Sequence, residues 1–190
     1  PTHQPVEQLA AFRAMPELNV FRPADVVETA EAWKAALKSK GPSMMVLTRQ
    51  KLPALRTSAG DLVEKGAYEL SPASGDARVS IFASGSEVSL AVAAQKTLEA
   101  DGIPTRVVST PCWRLFDAQP EAYQAEVLGN TPVNIAVEAA AKLGWERFIG
   151  RDGVFVGMKG FGASAPQDRL YKEFGITAEA IVAAAKAKLQ

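Results

Sequence analysis

His3 is the only histidine in the chain and lies two residues before Pro5, where a helix is predicted to begin. We expect the positive end of the helix dipole to disfavour the charged imidazolium. A neutral ring accepts one hydrogen bond and donates another, so it could orient a hydroxyl group or stabilise charge on a carbonyl oxygen. The alternative is a surface histidine that only caps the turn, and the residues alone leave both interpretations open.

Arg49 is the second candidate, because it follows the apolar run Met44–Leu47. Such a run is typical of a strand buried on both faces. Ligands of parallel sheets bind beyond the carboxyl ends of the strands, and the planar guanidinium matches a phosphate or a carboxylate. The alternative is an ion pair with a nearby acidic side chain.

Weaker signals lie further along the chain. The turn Ser84-Gly85-Ser86-Glu87 could cradle a phosphate, but the same residues form a capping box, which we favour. Cys112 could be a nucleophile, but a buried and inert thiol is the favoured interpretation.

Three glycines and one acid leave their roles open. Gly157, Gly160 and Gly162 could approach a ligand or a neighbouring backbone, or they could simply occupy a loop that needs positive φ angles. Glu138, after a predicted central strand, could be a site residue or half of an ion pair.

The elements around His3 and Arg49 predict a partial α/β block. A short strand is predicted at Asn19–Phe21, and Pro23 opens a helix whose apolar positions repeat at helical spacing, namely Val26, Val27, Ala30, Trp33 and Leu37. The second strand is Met44–Leu47. Strand, helix and strand in this order favour a right-handed crossover and a parallel sheet.

The rest of the chain predicts a linker and a second block. Residues 50–76 are broken by proline and glycine, with Ala67–Leu70 the only plausible strand. Residues 77–190 alternate again, with strands at Val79–Ala83, Thr105–Ser109 and Val133–Val137, helices at Glu87–Ala100 and Pro166–Phe174, and a last helix capped by Thr177. We therefore expect residues 1–49 to be part of one domain and residues 77–190 to form a complete three-layer α/β/α domain.

Composition excludes several classes of partner. Lys and Arg together equal Asp and Glu at 21 each, so no charge pattern favours nucleic acid. No apolar run approaches the ~20 residues that cross a bilayer. A single cysteine excludes an internal disulfide and favours a reducing, cytoplasmic compartment. Because the chain begins with Pro1, we expect it to be the C-terminal portion of a longer protein.

Ordered motifs along essentially the whole chain resemble those of the transketolase family. The motifs are Pro1-Thr2-His3-Gln4-Pro5-Val6-Glu7-Gln8, Asn19-Val20-Phe21-Arg22-Pro23-Ala24-Asp25, Thr48-Arg49-Gln50, Ala83-Ser84-Gly85-Ser86-Glu87-Val88 and Phe161-Gly162-Ala163-Ser164-Ala165-Pro166. The chain departs from the family pattern at Cys112–Leu115 and Ala140–Trp145. Neither of these stretches carries known family chemistry.

The resemblance implies a thiamine-diphosphate enzyme that moves a two-carbon ketol unit between sugar phosphates, from a ketose donor to an aldose acceptor. Residues 1–49 would end the family's pyrimidine-binding domain, and residues 77–190 would be its C-terminal domain. By position in the motifs, His3 would be a catalytic residue that hydrogen-bonds the donor sugar near its reacting carbonyl and hydroxyls. Arg49 would bind the terminal phosphate of the sugar.

The resemblance also implies that much of the site lies elsewhere. In the family, thiamine diphosphate and Mg²⁺ (or Ca²⁺) bind residues upstream of Pro1, and the site forms between the two subunits of a homodimer. We therefore expect no cofactor-binding or metal-binding residue in this chain. We also expect the chain alone to show neither cofactor binding nor ketol transfer.

Two other hypotheses remain open at this point. The chain could belong to another thiamine-diphosphate enzyme of the same modular order, such as deoxyxylulose-phosphate synthase or a 2-oxo-acid dehydrogenase subunit. The continuation His3-Gln4-Pro5-Val6-Glu7 and the pair Arg49-Gln50 argue against that. Alternatively, the second block could be a non-catalytic dimerisation or regulatory module.

Overall fold

The first block is a pair of short parallel strands joined by a crossover helix. In a computed structural model that describes residues 3–190, it contains α1 (Gln8–Arg13), β1 (Asn19–Phe21), α2 (Val26–Lys38) and β2 (Ser43–Met45). β1 and β2 pair in parallel, as the crossover predicts. The first two residues of the opening motif, Pro1 and Thr2, lie outside the described residues.

Helix α2 has the predicted period of apolar residues, but its apolar face is exposed and its other face is buried. Val26, Trp33 and Leu37 are 71%, 51% and 82% exposed, so the apolar stripe faces outward in this chain. The buried face carries Glu28, Glu31, Ala32 and Ala35. Periodicity locates an apolar face but does not show whether a neighbouring element covers it.

Hydrogen bonds and an ion pair compensate the burial of the acidic face. Glu31 pairs with Arg56 at 2.8 Å and accepts a backbone N–H from Gly60 at the same distance. Glu28 accepts hydrogen bonds from the hydroxyls of Tyr68, at 2.6 Å, and Ser109, at 2.5 Å. Buried acids persist in proteins when their oxygens are satisfied in this way, so α2 is fixed to the segment that follows it.

The segment predicted as a linker contributes a strand to the second block. It contains a 3₁₀ turn at Leu62–Lys65 and strand β3 at Tyr68–Ser71, close to the predicted strand. β3 pairs antiparallel with a strand of the second block, so part of this segment belongs to its sheet.

The second block is a five-stranded sheet with helices on both faces. Its remaining elements are β4 (Val79–Ala83), α3 (Val88–Ala100), β5 (Thr105–Ser109), α4 (Trp113–Asp117), α5 (Glu121–Leu128), β6 (Val133–Glu138), α6 (Glu146–Ile149), β7 (Val154–Gly157), α7 (Gln167–Glu173) and α8 (Ala178–Leu189). The strand order is β3-β5-β4-β6-β7, and every pairing except that of β3 is parallel.

Alternating side chains divide the core into two layers. Ile81 of β4 belongs to the cluster that includes Leu98 of α3 and Ile181 of α8. The neighbouring Phe82 belongs to the opposite cluster, with Trp113 of α4 and Phe148 of α6. This confirms the predicted α/β/α order of layers. Within the described residues, no helix has the length and apolar character needed to cross a membrane.

Candidate functional site

His3 lies in an exposed bend ahead of α1. The helix begins only at Gln8 and has six residues, so the helix N-terminus expected beside His3 lies further along the chain. The predicted helix start at Pro5 was too early. The catalytic role of His3 stays a prediction.

Arg49 is exposed just beyond β2. The strand ends at Met45, earlier than predicted, although the Val46 N–H still donates to the Phe21 carbonyl at 2.8 Å. Among the described residues, no ion pair joins Arg49 to an acidic side chain, so the ion-pair alternative finds no support there.

An open pocket of about 230 Å³ lies between the chain segments that carry His3 and Arg49. Pro5 and Val6, which follow His3, form part of one wall, and Leu47 and Thr48, which precede Arg49, form part of another. Arg22 also lines the pocket, and the remaining wall comes from α1, Met44, Val46, Ala139 and Ala140. The structure thus gives the two predicted segments a shared opening, while His3 and Arg49 are not among its lining residues.

The carboxyl edge of the second sheet holds a side chain of the first block. β5 and β6 lie on opposite sides of β4, so the crevice beyond β4 is the place where such sheets bind ligands. Here Arg22 fills it: its guanidinium lies 2.6 Å from the Glu87 carboxylate and donates to the Ser84 carbonyl. Burial opposes the charge on Arg22, but Glu87 and Glu138 raise its pKa above the ordinary value.

A second buried arginine pairs with Glu138 at the end of β6. Arg13 donates to both oxygens of this carboxylate at 2.8 Å, and Trp145 Nε1 donates at 2.9 Å. Burial raises the pKa of Glu138, but the opposing effects of Arg13, Arg22 and Ser84 are larger and lower it to about 2. Glu138 is therefore a carboxylate in an ion-pair network, which resolves the open alternative.

The turn after β4 serves this network instead of capping a helix. Ser84 makes no side-chain cap bond, and its hydroxyl donates to Glu138 at 2.5 Å. Glu87 pairs with Arg22 and accepts the Ala139 N–H at 2.9 Å. The capping-box interpretation was wrong, because both side chains have charged partners: Ser84 bonds Glu138 within the second block, and Glu87 pairs with Arg22 across the interface between the blocks.

Cys112 is fully buried, and burial raises the pKa of its thiol to about 11. A thiol held protonated in this way is a poor nucleophile, in agreement with the inert interpretation.

Of the two interpretations given for the glycines at 157, 160 and 162, the one that requires positive φ angles is wrong. None of Gly157, Gly160 and Gly162 has a positive φ. Gly157 and Gly162 instead allow close packing, since a Cβ at Gly162 would lie 2.8 Å from Gln4 Cβ. A Cβ at Gly160 would meet open space.

Sequence reasoning missed Arg13 and Arg22 as important residues. Arg22 follows β1, just as Arg49 follows the neighbouring strand, so the carboxyl-end rule that selected Arg49 applies to it as well. Their acidic partners lie far along the chain, and no local signal identifies them.

The described residues do not fit a diphosphate–metal group. No group of three acidic, histidine or cysteine side chains suited to a metal ion occurs among residues 3–190. The crevice of the second sheet, where a phosphate could bind, is filled by Arg22.

Comparison with known proteins gives two family matches. Residues 1–54 match the family model "Transketolase, pyrimidine binding domain". Residues 66–177 match "Transketolase-like TK C-terminal domain", which covers more than half of the chain.

Individual relatives agree with these matches. A transketolase of Sinorhizobium medicae is 56% identical over 189 residues, covering 97% of this chain and 27% of the relative. A Pichia stipitis transketolase solved with sedoheptulose 7-phosphate has a TM-score of 0.91 and 42% identity, covering 100% of this chain and 28% of that one. The chain thus spans less than a third of the curated relative.

A third match is a structure described as a split-gene transketolase in an inactive β4 tetramer. It has a TM-score of 0.83 and 26% identity, and this chain covers 63% of its length. The two family models, the high identity and the common fold agree along the sequence: the chain belongs to the transketolase family.

Proposed function

We propose that this chain supplies the sugar-phosphate part of a transketolase active site. The whole protein transfers a two-carbon ketol unit from a ketose phosphate donor to an aldose phosphate acceptor, as in the pentose phosphate pathway or the Calvin cycle. The observation that carries the proposal is the agreement of two adjacent transketolase models with the fold. The sugar phosphate bound to the Pichia stipitis relative supports the substrate class.

His3 and Arg49 are assigned to the two ends of the substrate. His3 hydrogen-bonds the donor near its reacting carbonyl and hydroxyls, because an imidazole can both donate and accept. Arg49 binds the terminal phosphate through its guanidinium fork. Their exposure and the opening between their segments support these roles.

Thiamine diphosphate and Mg²⁺ (or Ca²⁺) are assigned to the whole protein and to residues outside this chain. The cofactor supplies carbanion stabilisation, and the protein supplies orientation and electrostatics. The described residues do not fit this group.

The chain alone is proposed to be inactive, and the whole protein to be a cytoplasmic homodimer. The chain spans 27% of the Sinorhizobium medicae relative, and the split-gene relative is described as inactive. Calorimetry of the isolated chain with thiamine diphosphate and Mg²⁺ is expected to give no binding heat. Tight binding would contradict this part of the proposal.

The alternatives explain fewer of the observations. Deoxyxylulose-phosphate synthase and 2-oxo-acid dehydrogenases share the modular order, but the family matches favour transketolase. A purely structural role for the second block remains compatible with transketolase activity of the whole protein.

A hybrid enzyme tests the function. The matching stretch of the Sinorhizobium medicae transketolase is replaced by this chain, and the unaltered enzyme is the control. We expect thiamine-diphosphate-dependent transfer from xylulose 5-phosphate to ribose 5-phosphate. A folded hybrid that binds cofactor but fails to transfer the ketol unit, or that prefers a 2-oxo acid as donor, would overturn the proposal.

A further inference from the structure

The bend that carries His3 is held by two loops of the second block. The Val6 carbonyl accepts the Ala141 N–H at 2.7 Å. Gln4 Nε2 donates to Ser164 Oγ at 2.8 Å. Ala141 follows β6 and Ser164 follows β7, so both contacts come from the carboxyl edge of the second sheet.

The Gln4 side chain continues this contact to His3. Its Oε1 accepts the backbone N–H of His3 at 3.3 Å, while its Nε2 donates to Ser164. One amide therefore joins the second block to the backbone of the proposed catalytic residue.

The loop around Ser164 is shaped to accept Gln4. A Cβ at Gly162 would lie 2.8 Å from Gln4 Cβ and 3.2 Å from the Gln4 carbonyl oxygen. Because Gly162 has no positive φ, its lack of a side chain serves this approach and not a backbone angle. Any side chain here would push the bend away from the loop.

An ion pair fixes the chain at the end of α1, the helix that follows the bend. Arg13, the last residue of α1, is anchored to Glu138 at the end of β6. The bend is thus attached to the second block both near His3 and at the end of the following helix. Its position is set by the second block and not by α1 alone.

We propose that Gln4 and Ser164 are positioning residues that hold His3 in the orientation needed for the donor sugar. The hydrogen-bonded connection is a property of this chain by itself. Its effect on catalysis rests on the proposed function. The second block thereby acts on the active site.

The single histidine makes the connection measurable in the isolated chain. With ¹³C,¹⁵N-labelled histidine, the unaltered chain is expected to give one ring signal with the relaxation of an ordered residue. Ser164→Ala and Gly162→Ala are expected to increase the mobility of His3 and move its signal toward the free-peptide value. Ser164→Thr, which keeps the hydroxyl, is expected to restore the original signal.

Ser74→Ala is the matched control, because Ser74 is exposed and its hydroxyl bonds Glu99, away from the carboxyl edge of the sheet. It should leave the histidine signal unchanged. An unchanged signal in Ser164→Ala, or an equal change in Ser74→Ala, would overturn the connection. Neither result depends on enzyme activity.

The hybrid enzyme measures the catalytic effect. Ser164→Ala and Gln4→Met are expected to lower kcat/KM for the ketose donor about 3- to 10-fold each, the range of one lost hydrogen bond. The double variant should lose no more than the larger single loss, because both remove the same contact. Cofactor affinity and melting temperature should stay unchanged, and Ser164→Thr should restore the rate.

These results separate the two proposals. A mobile histidine in Ser164→Ala, together with a hybrid that folds and binds cofactor but is inactive, retains the connection and refutes the proposed function. An active hybrid in which Ser164→Ala has full kcat/KM refutes the positioning role. A loss of kcat/KM matched by an equal loss of cofactor affinity also refutes it, because that loss would show a general structural defect.

Discussion

Two arginines and two glutamates join the blocks through a buried network of balanced charge. Arg13 and Arg22 have side chains 6% and 7% exposed, and their partners Glu138 and Glu87 are fully buried. The Arg13 guanidinium also lies 3.8 Å from the centre of the Trp113 ring. Oppositely charged groups tolerate burial as a pair. Removing one of them leaves an uncompensated buried charge, which lowers the free energy of unfolding.

Glu138→Gln tests this network. The variant leaves Arg13 and Arg22 short of a counter-charge in the interior, so the free energy of unfolding should fall by about 3–5 kcal/mol. Urea unfolding measures it. Glu146→Gln is the control, since its exposed pair with Lys142 at 3.3 Å should contribute less than about 1 kcal/mol. Equal effects in the two variants would contradict the account.

The same carboxylate makes stability depend on pH. The pKa of Glu138 is lowered to about 2 in the folded chain, from an ordinary value of 4.5. Its stabilisation is therefore complete above about pH 4.5 and is lost as the pH falls toward 2. The difference in urea midpoint between the unaltered chain and Glu138→Gln should shrink over this window. A constant difference would mean that Glu138 does not ionise as described.

Residue types selected two candidate site residues, whose roles stay predictions. His3 and Arg49 were selected by side-chain chemistry and their places at element ends, and those signals are local. For Glu138 an ion pair was one of two open interpretations, but its partner Arg13 was not identified, because the two are 125 residues apart in sequence. Such a pairing depends on the packing of the two blocks, which local patterns do not contain.

At the scale of elements, the turn between β4 and α3 is built around an arginine. Gly85 has a φ of +58°, and a Cβ there would lie 2.6 Å from the Arg22 guanidinium. A side chain at this position would meet both backbone strain and a buried ion pair.

Gly85→Ala should therefore lower the free energy of unfolding more than an alanine at another glycine with a positive φ. Gly102→Ala is the matched control, because its φ is +73° but a Cβ would meet nothing within 4 Å. We expect about 1–2 kcal/mol for Gly102→Ala from the left-handed backbone. Gly85→Ala should add about 1–3 kcal/mol of overpacking. Similar chemical denaturation curves for both variants would show that Arg22 does not fill the crevice.

The exposure of the apolar face of α2 also has a measurable consequence. Trp33 is 51% exposed, whereas Phe21 is fully buried. In the isolated chain, Trp33→Ala should change the free energy of unfolding by less than about 1 kcal/mol. Phe21→Ala should lower it by about 3–5 kcal/mol. Comparable losses in the two variants, measured by urea unfolding, would mean that the apolar stripe is buried after all.

Element prediction succeeded best for two central strands of the second sheet and for the start of the last helix. The strands Val79–Ala83 and Thr105–Ser109 were predicted at their observed limits, and Thr177 caps α8 through the Ala180 N–H. The short helices α4, α5 and α6 and strand β7 were missed. The three helices have eight residues or fewer, which is too short to give a clear helical period.

At the scale of the molecule, the second block holds the first in place. Its sheet edge binds Arg22, its strand β6 ends at the acid that binds Arg13, and its loops contact the bend before α1. A sheet whose ligand crevice is filled by a neighbouring block is suited to positioning that block and less suited to binding a ligand there.

The central claim is that Arg49 recognises the phosphate of the sugar in a cleft shared with His3. The most direct test uses the hybrid enzyme and compares kcat/KM for xylulose 5-phosphate with that for unphosphorylated xylulose. Arg49→Gln should lower the first value about 10- to 100-fold, as expected for loss of a charged hydrogen bond of ~1.5–3 kcal/mol, and leave the second nearly unchanged. Equal loss with both sugars, or no loss with either, would contradict the claim.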